Sequence, residues 1–534
     1  MERAPFGEAG SLGATYAARD PSVLDLFPSW VELGEQSLAA VHGVPGPLRE
    51  GLRSEDFGAT SSASREKLEA ILAGQGTLVT TGQQPGMFLG SLLVLYKALT
   101  AIALASTLER RFGHPVLALF WVASDDHDWR EVGATRVIDT TNDLQSLRFD
   151  PPAGRSDRAV GSTCLDMRVS ALLAALRDVF PETEFRDQHL KLLEAAYQPG
   201  RRIGQAFGEA LAGVLADHEL VWLDSARPAV SRALGPLYQR ALEETTQATD
   251  RLLESTERVR AAGFDPQLLV PDRASNVFFD DAQGRRRVHV EGGSVRLGSD
   301  GEPRPLEALL SELRRTPEAF SPSAALRPVA ESALLPVAAS VLGPAEVAYW
   351  AQLPGLFSWA GVPMPRVVPR TAWTVIEAKI ASVLEDVGAS SEELRDGGDR
   401  VIERAVRQET PTLVSESLEE LASTQEAAFD HVVSALGAEL PGIRATGEKA
   451  RASARRVYQD LEKGVAAAVR DRQRTLTRRV RKAATHLYPG GGAQERVLNP
   501  LYYLVRYGPG FVADLDREVR AAVEEYVACF SEGR

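Results

Sequence analysis

The clearest pattern along the chain is a helical stretch between two short, continuously apolar stretches. Residues 77–81 and 116–123 have the length and uniform apolarity of strands that are buried on both faces. The stretch between them, from Gly86 to about Arg111, predicts a helix. Strands and helices that alternate in this way predict an α/β fold with a parallel sheet and a right-handed crossover. Both strands should end at one edge of the sheet, where such sheets bind ligands.

The apolar part of this helix, residues 86–105, is about as long as a membrane span. Lys97 lies in its middle, and no second span accompanies it. A helix that is apolar on all sides is also what the interior of a large α/β domain requires. We therefore expect a buried helix and no membrane association.

A second pattern, of heptad type, runs from residue 442 to residue 487. It predicts one helix of about 45 residues, roughly 65–70 Å long at 1.5 Å per residue. The preceding stretch, 415–440, contains six acids and no Lys or Arg, whereas 442–487 contains 13 Lys or Arg and four acids. Opposite charge on two adjacent helical stretches predicts an antiparallel coiled-coil hairpin with ion pairs between its arms. The basic arm is then paired or solvated and does not indicate nucleic-acid binding.

Composition limits the class of protein. The 534 residues carry a formal net charge of −13, which argues against a general nucleic-acid binder. The two cysteines, Cys164 and Cys529, form no disulfide framework, so a reducing, cytoplasmic location is expected. Residues 275–301 alternate between strand and turn patterns and predict a small antiparallel sheet inserted into the core.

Two polar loops follow the predicted strands. The first contains Gly82, Gln83 and Gln84, and its glycines and amides could accept a ligand close to the backbone. A tight turn with capping side chains is an equally good interpretation. The second contains Asp125, Asp126 and His127, a group that suits a general base or a hard metal ion. One acid of this loop is expected to cap the following helix.

Polar residues in apolar surroundings form a third group of candidates. Arg327, Arg366 and Arg370 stand beside prolines and could bind carboxylate or phosphate, or could pair with buried acids. Tyr349 and Gln352 share a predicted helix face that lines either a pocket or the core. Lys97 lies about three turns from the first loop along the predicted helix, where it could bind substrate or only neutralise a buried acid.

Several distinctive segments, in this order and spacing, resemble the BshC family of bacillithiol biosynthesis. The resemblance spans about residues 77–515 and rests on VTTGQQPGMFLGSLLVLYKALTAI, PVLALFWVASDDHDWREV, FSPSAALRPV, LLPVAASVLGPAEVAYWAQL, MPRVVPR and ERVLNPLYYLVRYGPGFV. The resemblance implies a Rossmann-like parallel-sheet core with inserted connecting-peptide domains and a long antiparallel α-helical coiled coil that makes a homodimer. We expect a first part of the core at 1–145, an inserted region at 146–318 and a second part of the core at 319–387. A coiled-coil arm at 388–489 and a tail at 490–534 that packs on the core would follow.

The resemblance also implies an activity. The family is assigned the last step in making this low-molecular-weight thiol, a ligase reaction that joins cysteine to the amino group of glucosaminyl-malate as an amide. A carboxylate does not acylate an amine unaided in water, so ATP or another adenine nucleotide, with Mg²⁺, is expected to activate it. The core resembles that of class I aminoacyl-tRNA ligases, but the sequence lacks their His-Ile-Gly-His and Lys-Met-Ser-Lys-Ser signatures.

The residue roles implied by the resemblance fall into three sets. Asp125, Asp126 and His127 would be the acid–base group, and no residue is assigned to a metal. The expected substrate-binding residues are Gly82, Gln83, Gln84, Lys97, Arg327, Tyr349, Gln352, Arg366 and Arg370. The residues expected to form an adenine-nucleotide pocket between core and coiled coil are Asn499, Tyr502, Tyr503 and Tyr507.

Two other functions fit the same residues. The loop at 125–128 could support a metal-assisted hydrolase or a glycosyl transferase. The chain could also be a non-catalytic coiled-coil dimer that senses a nucleotide or a thiol. In each case we expect a small-molecule ligand and neither nucleic acid nor membrane as partner.

Overall fold

The computed structural model describes residues 1–27, 51–126, 128–152, 158–271, 274–298, 301–409, 412–437, 439–440 and 442–529. His127, a candidate from the sequence, lies outside these ranges. The chain divides into two compact units. The larger contains Glu2–Thr374 and Glu495–Arg534, and the smaller contains Val375–Gln494 together with Met1.

The strands of the described residues are numbered in chain order. They are β1 (Glu2–Arg3), β2 (Gly58–Ala59), β3 (Thr77–Gln83), β4 (Val116–Val122), β5 (Ala134–Ile138), β6 (Leu144–Arg148), β7 (Leu220–Asp224), β8 (Ala274–Asp281), β9 (Gly284–Glu291), β10 (Ser294–Leu297), β11 (Arg304–Pro305), β12 (Phe320–Pro322), β13 (Val337–Leu342), β14 (Arg366–Pro369) and β15 (Trp373–Thr374).

The α-helices are numbered in the same way. They are α1 (Leu12–Ala17), α2 (Pro21–Leu24), α3 (Ser62–Ala70), α4 (Leu93–Phe112), α5 (Trp129–Val132), α6 (Arg168–Val179), α7 (Arg186–Ala196), α8 (Ile203–Val214), α9 (Pro228–Glu243), α10 (Thr245–Ala261), α11 (Leu306–Arg315), α12 (Leu326–Leu334), α13 (Pro344–Trp350), α14 (Pro354–Ala360), α15 (Ala378–Val387), α16 (Asp399–Glu409), α17 (Thr412–Gly437), α18 (Ile443–Leu487), α19 (Gln494–Val497), α20 (Leu501–Tyr507) and α21 (Pro509–Ala528).

The core of the larger unit is a six-stranded sheet in the order β14-β13-β3-β4-β7-β2. All neighbouring pairs are parallel except β2 and β7. Every residue of β4 is buried, as expected for a strand with both faces covered. The two apolar strands predicted from the sequence are therefore confirmed, and β3 continues two residues further, to Gln83.

The predicted helix begins later than the sequence pattern suggested. Helix α4 starts at Leu93, and the residues before it form a tight turn in which Phe88 and Leu89 have φ of 52° and 79°. Non-glycine residues rarely adopt such angles, which cost on the order of 1–3 kcal/mol each. Asn499 Nδ2 donates to the Phe88 carbonyl at 2.7 Å, and the Leu89 amide donates to the Tyr197 hydroxyl at 3.2 Å. The tail of the chain thus holds this strained turn in place.

The predicted inserted sheet is also present. It has five strands in the order β11-β10-β9-β8-β12, with β8, β9 and β10 joined as antiparallel neighbours. Its register pairs Phe320 of β12 with Phe279 of β8, and both side chains are buried. The inserted sheet packs on α9 and α10, which places β9 near the carboxyl ends of β4 and β7.

The smaller unit contains the predicted long helix. Helix α18 runs from Ile443 to Leu487 and packs against α17 in its first half. Arg451 lies 2.9 Å from Asp430 and 3.6 Å from Glu426, so the expected ion pairs between the two arms form. Toward its carboxyl end α18 joins a cluster with α15 and α16, which buries Val480 and Leu487.

The arms leave part of their apolar stripe exposed. Val457 is 68% exposed and Leu461 is 49% exposed. In the parts of the chain that the structure describes, no helix combines the length and the hydropathy needed to cross a membrane. Most residues of α4 are buried within the larger unit, which accounts for its apolar composition.

Replacing Asn499 by alanine should destabilise the larger unit. The change leaves the Phe88 carbonyl, the Thr135 hydroxyl and the Leu501 amide without their buried partner. We expect a loss of about 2–3 kcal/mol in the free energy of unfolding, measured by urea denaturation. Gln239→Ala on an exposed helix face is the control and should change this value by less than about 0.5 kcal/mol. Equal stability of the two variants would contradict the structural role of Asn499.

Candidate active site

The polar residues that follow the parallel strands meet at one edge of the sheet. Gln84 follows β3, Asp126 follows β4, and Gln84 Nε2 donates to Asp126 Oδ2 at 2.7 Å. The register that pairs Gln83 with Val122 brings the two loops level with each other. The prediction that both loops face one crevice is confirmed. Gln83 Nε2 donates in turn to Glu131 Oε1 at 3.2 Å, an acid that the sequence analysis did not single out.

The acids of the second loop have different surroundings. Asp125 is buried and accepts a hydrogen bond from Ser225 Oγ at 2.6 Å, so the residue after β7 fixes its carboxylate. Asp126 keeps 42% of its side chain exposed, on the open side of the crevice. Asp128 caps α5 and accepts from the amides of Arg130 and Glu131 at 3.0 and 3.2 Å. The expected helix cap is therefore Asp128, which leaves Asp126 as the acid of the described loop that is partly exposed and caps no helix.

A buried lysine holds the first loop. Lys97 is only 2% exposed, and its Nζ lies 2.5 Å from Glu346 Oε2, 2.7 Å from the Gly82 carbonyl and 3.1 Å from Gln83 Oε1. Burial alone would raise the pKa of Glu346, but the Lys97 ammonium and the Gly343 amide hold it below its usual range. The sequence analysis placed Lys97 three turns from the loop. That was wrong because α4 begins at Leu93, so Lys97 lies in its second turn and reaches the loop directly.

A second polar group lies behind this lysine. Arg327 Nη2 donates to the Tyr349 hydroxyl at 2.9 Å, and both side chains line a small cavity with Glu331 and Glu346. Burial raises the pKa of Glu331 to about 7, against the opposing effects of Thr80 and Arg327. The sequence analysis missed Glu331. The available signal was the one acid on the helix LRPVAESAL, whose other residues apart from Arg327 and Ser332 are apolar.

The inserted sheet adds a cation that was also missed. Arg285 on β9 donates from Nε to Ser321 Oγ and from Nη2 to the Pro322 carbonyl, each at 2.9 Å. Its Nη1 lies 4.0 Å from Asp126 Oδ1. The two arginines that follow Arg285 make contacts within the inserted sheet: Arg286 pairs with Asp281, and Arg287 stacks on Phe278. Nothing in the run of three arginines distinguishes Arg285 by local pattern.

Three of the predicted substrate-binding residues are not available in the crevice. Arg366 is the first residue of β14. It therefore lies at the amino ends of the parallel strands, whereas the crevice lies at their carboxyl ends. Arg370 lies at the correct edge, but its guanidinium makes a buried two-pronged pair with Glu495, at 2.7 and 2.5 Å. Gln352 accepts from the amides of Gln267 and Leu268, so it anchors a loop.

The tail residues expected at a nucleotide serve packing in the larger unit. The Asn499 amide group is used by the strained turn, by Thr135 and by the Leu501 amide. Tyr502 is buried beneath the Arg506 guanidinium, and buried Tyr503 stacks on Phe511 at 4.8 Å. Tyr507 is 45% exposed. The contacts of Asn499, Tyr502 and Tyr503 do not fit a role as adenine contacts.

No group of three His, Cys, Asp or Glu side chains within the described ranges is arranged to hold a metal ion. The crevice therefore offers, from the described residues, the carboxylates of Asp126 and Glu131 beside two amides and a set of buried cations. Such a site can orient an amine, accept its proton and hold an anionic group.

Comparison with known protein families identifies two domains in this chain. A model described as the Bacillithiol biosynthesis BshC N-terminal Rossmann-like domain matches residues 46–371. A model of the C-terminal coiled-coil domain of the same protein matches residues 373–526. These matches and the six-stranded, mostly parallel core sheet confirm the expected fold class.

Curated relatives match over most of their length. A protein of Salinibacter ruber named "Putative cysteine ligase BshC" is 29% identical, covering 97% of this chain and 95% of its own. Proteins of the same name from Koribacter versatilis and Solibacter usitatus are each 30% identical, covering 82% of this chain and 81% of their own. With both domains matched in order along nearly its whole length, the chain belongs to the BshC family of bacillithiol biosynthesis.

Proposed function

We propose that the chain is a ligase that joins the carboxyl group of cysteine to the amino group of glucosaminyl-malate in bacillithiol biosynthesis. The observation on which this rests is the contact of Gln84 with Asp126 at the carboxyl ends of β3 and β4, in a chain of the BshC family. An amide forms when a neutral amine attacks an activated carboxyl carbon and the activating group leaves that carbon, so a base must take a proton from the amine. Asp126 is the partly exposed acid that Gln84 holds in the crevice and is our candidate for that base.

The other residues of the crevice have positioning roles in this proposal. Gln84 orients the Asp126 carboxylate through its 2.7 Å hydrogen bond. Lys97 holds the loop by binding the Gly82 carbonyl and the Gln83 side chain, while Glu346 keeps its charge balanced. Arg327, with Tyr349, is the candidate for the malate carboxylates, because guanidinium groups bind carboxylates well.

The carboxyl group of cysteine must be activated before the amine attacks. We propose that ATP or another adenine nucleotide, with Mg²⁺, supplies that activation as a co-substrate. The residues described above would bind and orient the amine and hold its proton at Asp126. A cytoplasmic location fits the two cysteines, since Cys164 and Cys529 are both free thiols.

We also propose that the protein is a homodimer through the coiled-coil arm. Two arms bury only part of their apolar stripe, and Val457 and Leu461 remain largely exposed along α18. A second copy that packs its own stripe against this one would remove these side chains from water.

The proposed activity and the role of Asp126 are testable in the same cells. Deletion of the gene should abolish bacillithiol and accumulate glucosaminyl-malate, measured by mass spectrometry of small thiols, and the wild-type gene should restore the thiol. Asp126→Asn should restore about 100-fold less, because loss of a general base typically costs 10²–10⁴ in rate.

Asp128→Asn is the matched control for this experiment. It removes the charge of a neighbouring acid that caps α5, so it should restore bacillithiol. An unchanged thiol pool after deletion would contradict the proposed activity. Full restoration by Asp126→Asn would contradict only the role given to Asp126.

The pKa of Glu331 predicts how binding depends on pH. Glu331 is neutral below about pH 7 and ionises above it, where its carboxylate competes with substrate for Arg327. The affinity for glucosaminyl-malate, measured by calorimetry, should therefore fall about fivefold to tenfold from pH 6 to pH 8. Glu331→Gln should remove this part of the decline. Glu109→Gln is the control: Glu109 lies on the helix that carries Lys97 but pairs with Lys67, so this variant should behave like the wild type. Identical dependence of affinity on pH in the wild type and both variants would refute the role given to Glu331.

The dimer predicts the effect of charge on the exposed stripe. Val457→Glu combined with Leu461→Glu should convert the dimer to a monomer, because two carboxylates cannot be buried unpaired in an apolar interface. Sedimentation velocity measures the change. Gln459→Glu, at an exposed position between them, should stay dimeric. A monomeric wild type would rule out the dimer.

A further inference from the structure

A second, larger cavity lies beside the crevice. It has a volume of about 180 Å³ and is bounded by the residues after β4 and β7 on one side and by the inserted sheet on the other. Its lining includes Asp125, Ser225, Asp280 and Arg285. The roles proposed above for the crevice leave this cavity without a ligand.

Arg285 is built into the wall of this cavity in a fixed position. Its Nε and Nη2 are bound by Ser321 and Pro322, and its plane lies over the Phe278 ring at 3.9 Å. These contacts aim Nη1 toward Asp126, at 4.0 Å from its Oδ1. A carboxylate bound at Nη1 would therefore lie next to the acid proposed as the base.

Two carboxylates lie near Arg285, one on each side of the cavity: Asp125 follows β4, and Asp280 of β8 is the cross-strand neighbour of Arg285 on β9. Asp125 is buried, with one oxygen held by Ser225. Asp280 lies near Arg158 at 3.8 Å, and burial raises its pKa. An ammonium group placed between these carboxylates would be stabilised by both.

A buried hydrogen-bond donor also lines the cavity. The Trp121 side chain is 2% exposed, and its Nε1–H has no acceptor among the residues that the structure describes. Buried N–H groups without a partner are rare in proteins and cost free energy. Trp121 lines both this cavity and the smaller one beside Arg327, so an acceptor on a bound ligand would satisfy it.

We propose that this cavity binds the zwitterion of an α-amino acid, which under the proposed function is cysteine. Arg285 holds the carboxylate, Asp280 and Asp125 face the ammonium, and the carboxyl carbon is presented toward Asp126. The acceptor substrate then approaches from the side of Gln84 and Arg327. This inference rests on the proposed function for the identity of the amino acid.

The charges of the wall favour a zwitterion over the malate end of the other substrate. The lining contains three carboxylates, of Asp125, Asp280 and Glu318, and two guanidinium groups, of Arg202 and Arg285. A dianion would meet a wall with net negative charge, whereas a zwitterion finds a partner at each end. The inserted sheet thus completes the site by bringing Arg285 to the end of the core sheet.

Binding of cysteine and of two truncated analogues tests this assignment without turnover. Cysteamine lacks the carboxylate and 3-mercaptopropionate lacks the ammonium. Calorimetry on the full-length protein, in a reducing buffer, should show the wild type binding L-cysteine more tightly than either analogue. Arg285→Gln should weaken cysteine about tenfold or more and leave cysteamine unchanged, because only the carboxylate contact is lost.

Two further variants make the experiment decisive. Arg287 stacks on the same Phe278 ring but does not line the cavity. The Arg287→Gln variant should therefore bind cysteine like the wild type. Asp280→Asn should weaken the binding of cysteine but leave the binding of 3-mercaptopropionate unchanged. If Arg285→Gln fails to fold, this variant alone tests whether the cavity binds the amino acid.

Two results would overturn the inference. One is wild-type affinity for cysteine in both Arg285→Gln and Asp280→Asn. The other is a loss of glucosaminyl-malate binding in these variants while cysteine binding is kept. Cysteine binding that follows the expected pattern in a protein that makes no bacillithiol would contradict the proposed function and leave the amino-acid cavity standing.

Discussion

The crevice depends on one buried ion pair, between Lys97 and Glu346. The ammonium reaches the carbonyl of Gly82 and the side chain of Gln83 as well as the Glu346 carboxylate, so it joins the end of β3 to the helix after β13. Loss of one partner of such a pair typically costs about 3–5 kcal/mol, because the other charge stays buried without compensation. The pair therefore sets the position of the Gln83–Gln84 loop, and through Gln84 it sets the position of Asp126.

The same loop is held from the other side by the tail of the chain. The turn between β3 and α4 carries two non-glycine residues with positive φ, Phe88 and Leu89. Asn499 stabilises it from 411 residues away. Strained backbone persists where surrounding contacts over-determine it, and it is concentrated at functional sites. The tail residues are thus better understood as supports of the crevice than as a nucleotide pocket.

The inserted sheet has a chemical role as well as a structural one. A doubly wound sheet presents loops at one edge but leaves that edge open to water. The inserted strands close one side of it, and they contribute the guanidinium of Arg285 and the carboxylate of Asp280. Two neighbouring cavities result, one beside Arg327 and one beside Arg285. A reaction that joins two substrates suits this division.

The sequence by itself determined the parts of this protein that depend on local order. The apolar strands β3 and β4, the helix between them and the long helix α18 follow from periodicity, and the pairing of the arms follows from their opposite charge. The meeting of the two polar loops follows from the geometry of parallel strands. The tertiary structure alone decided which polar side chains serve the crevice. Arg370 is neutralised by Glu495, which is 125 residues away, and Arg285 differs from Arg286 and Arg287 only in what lies opposite it. Glu331 acquires its raised pKa from burial. Charge, exposure and reach of a side chain are set by neighbours distant in the chain, and no local pattern encodes them.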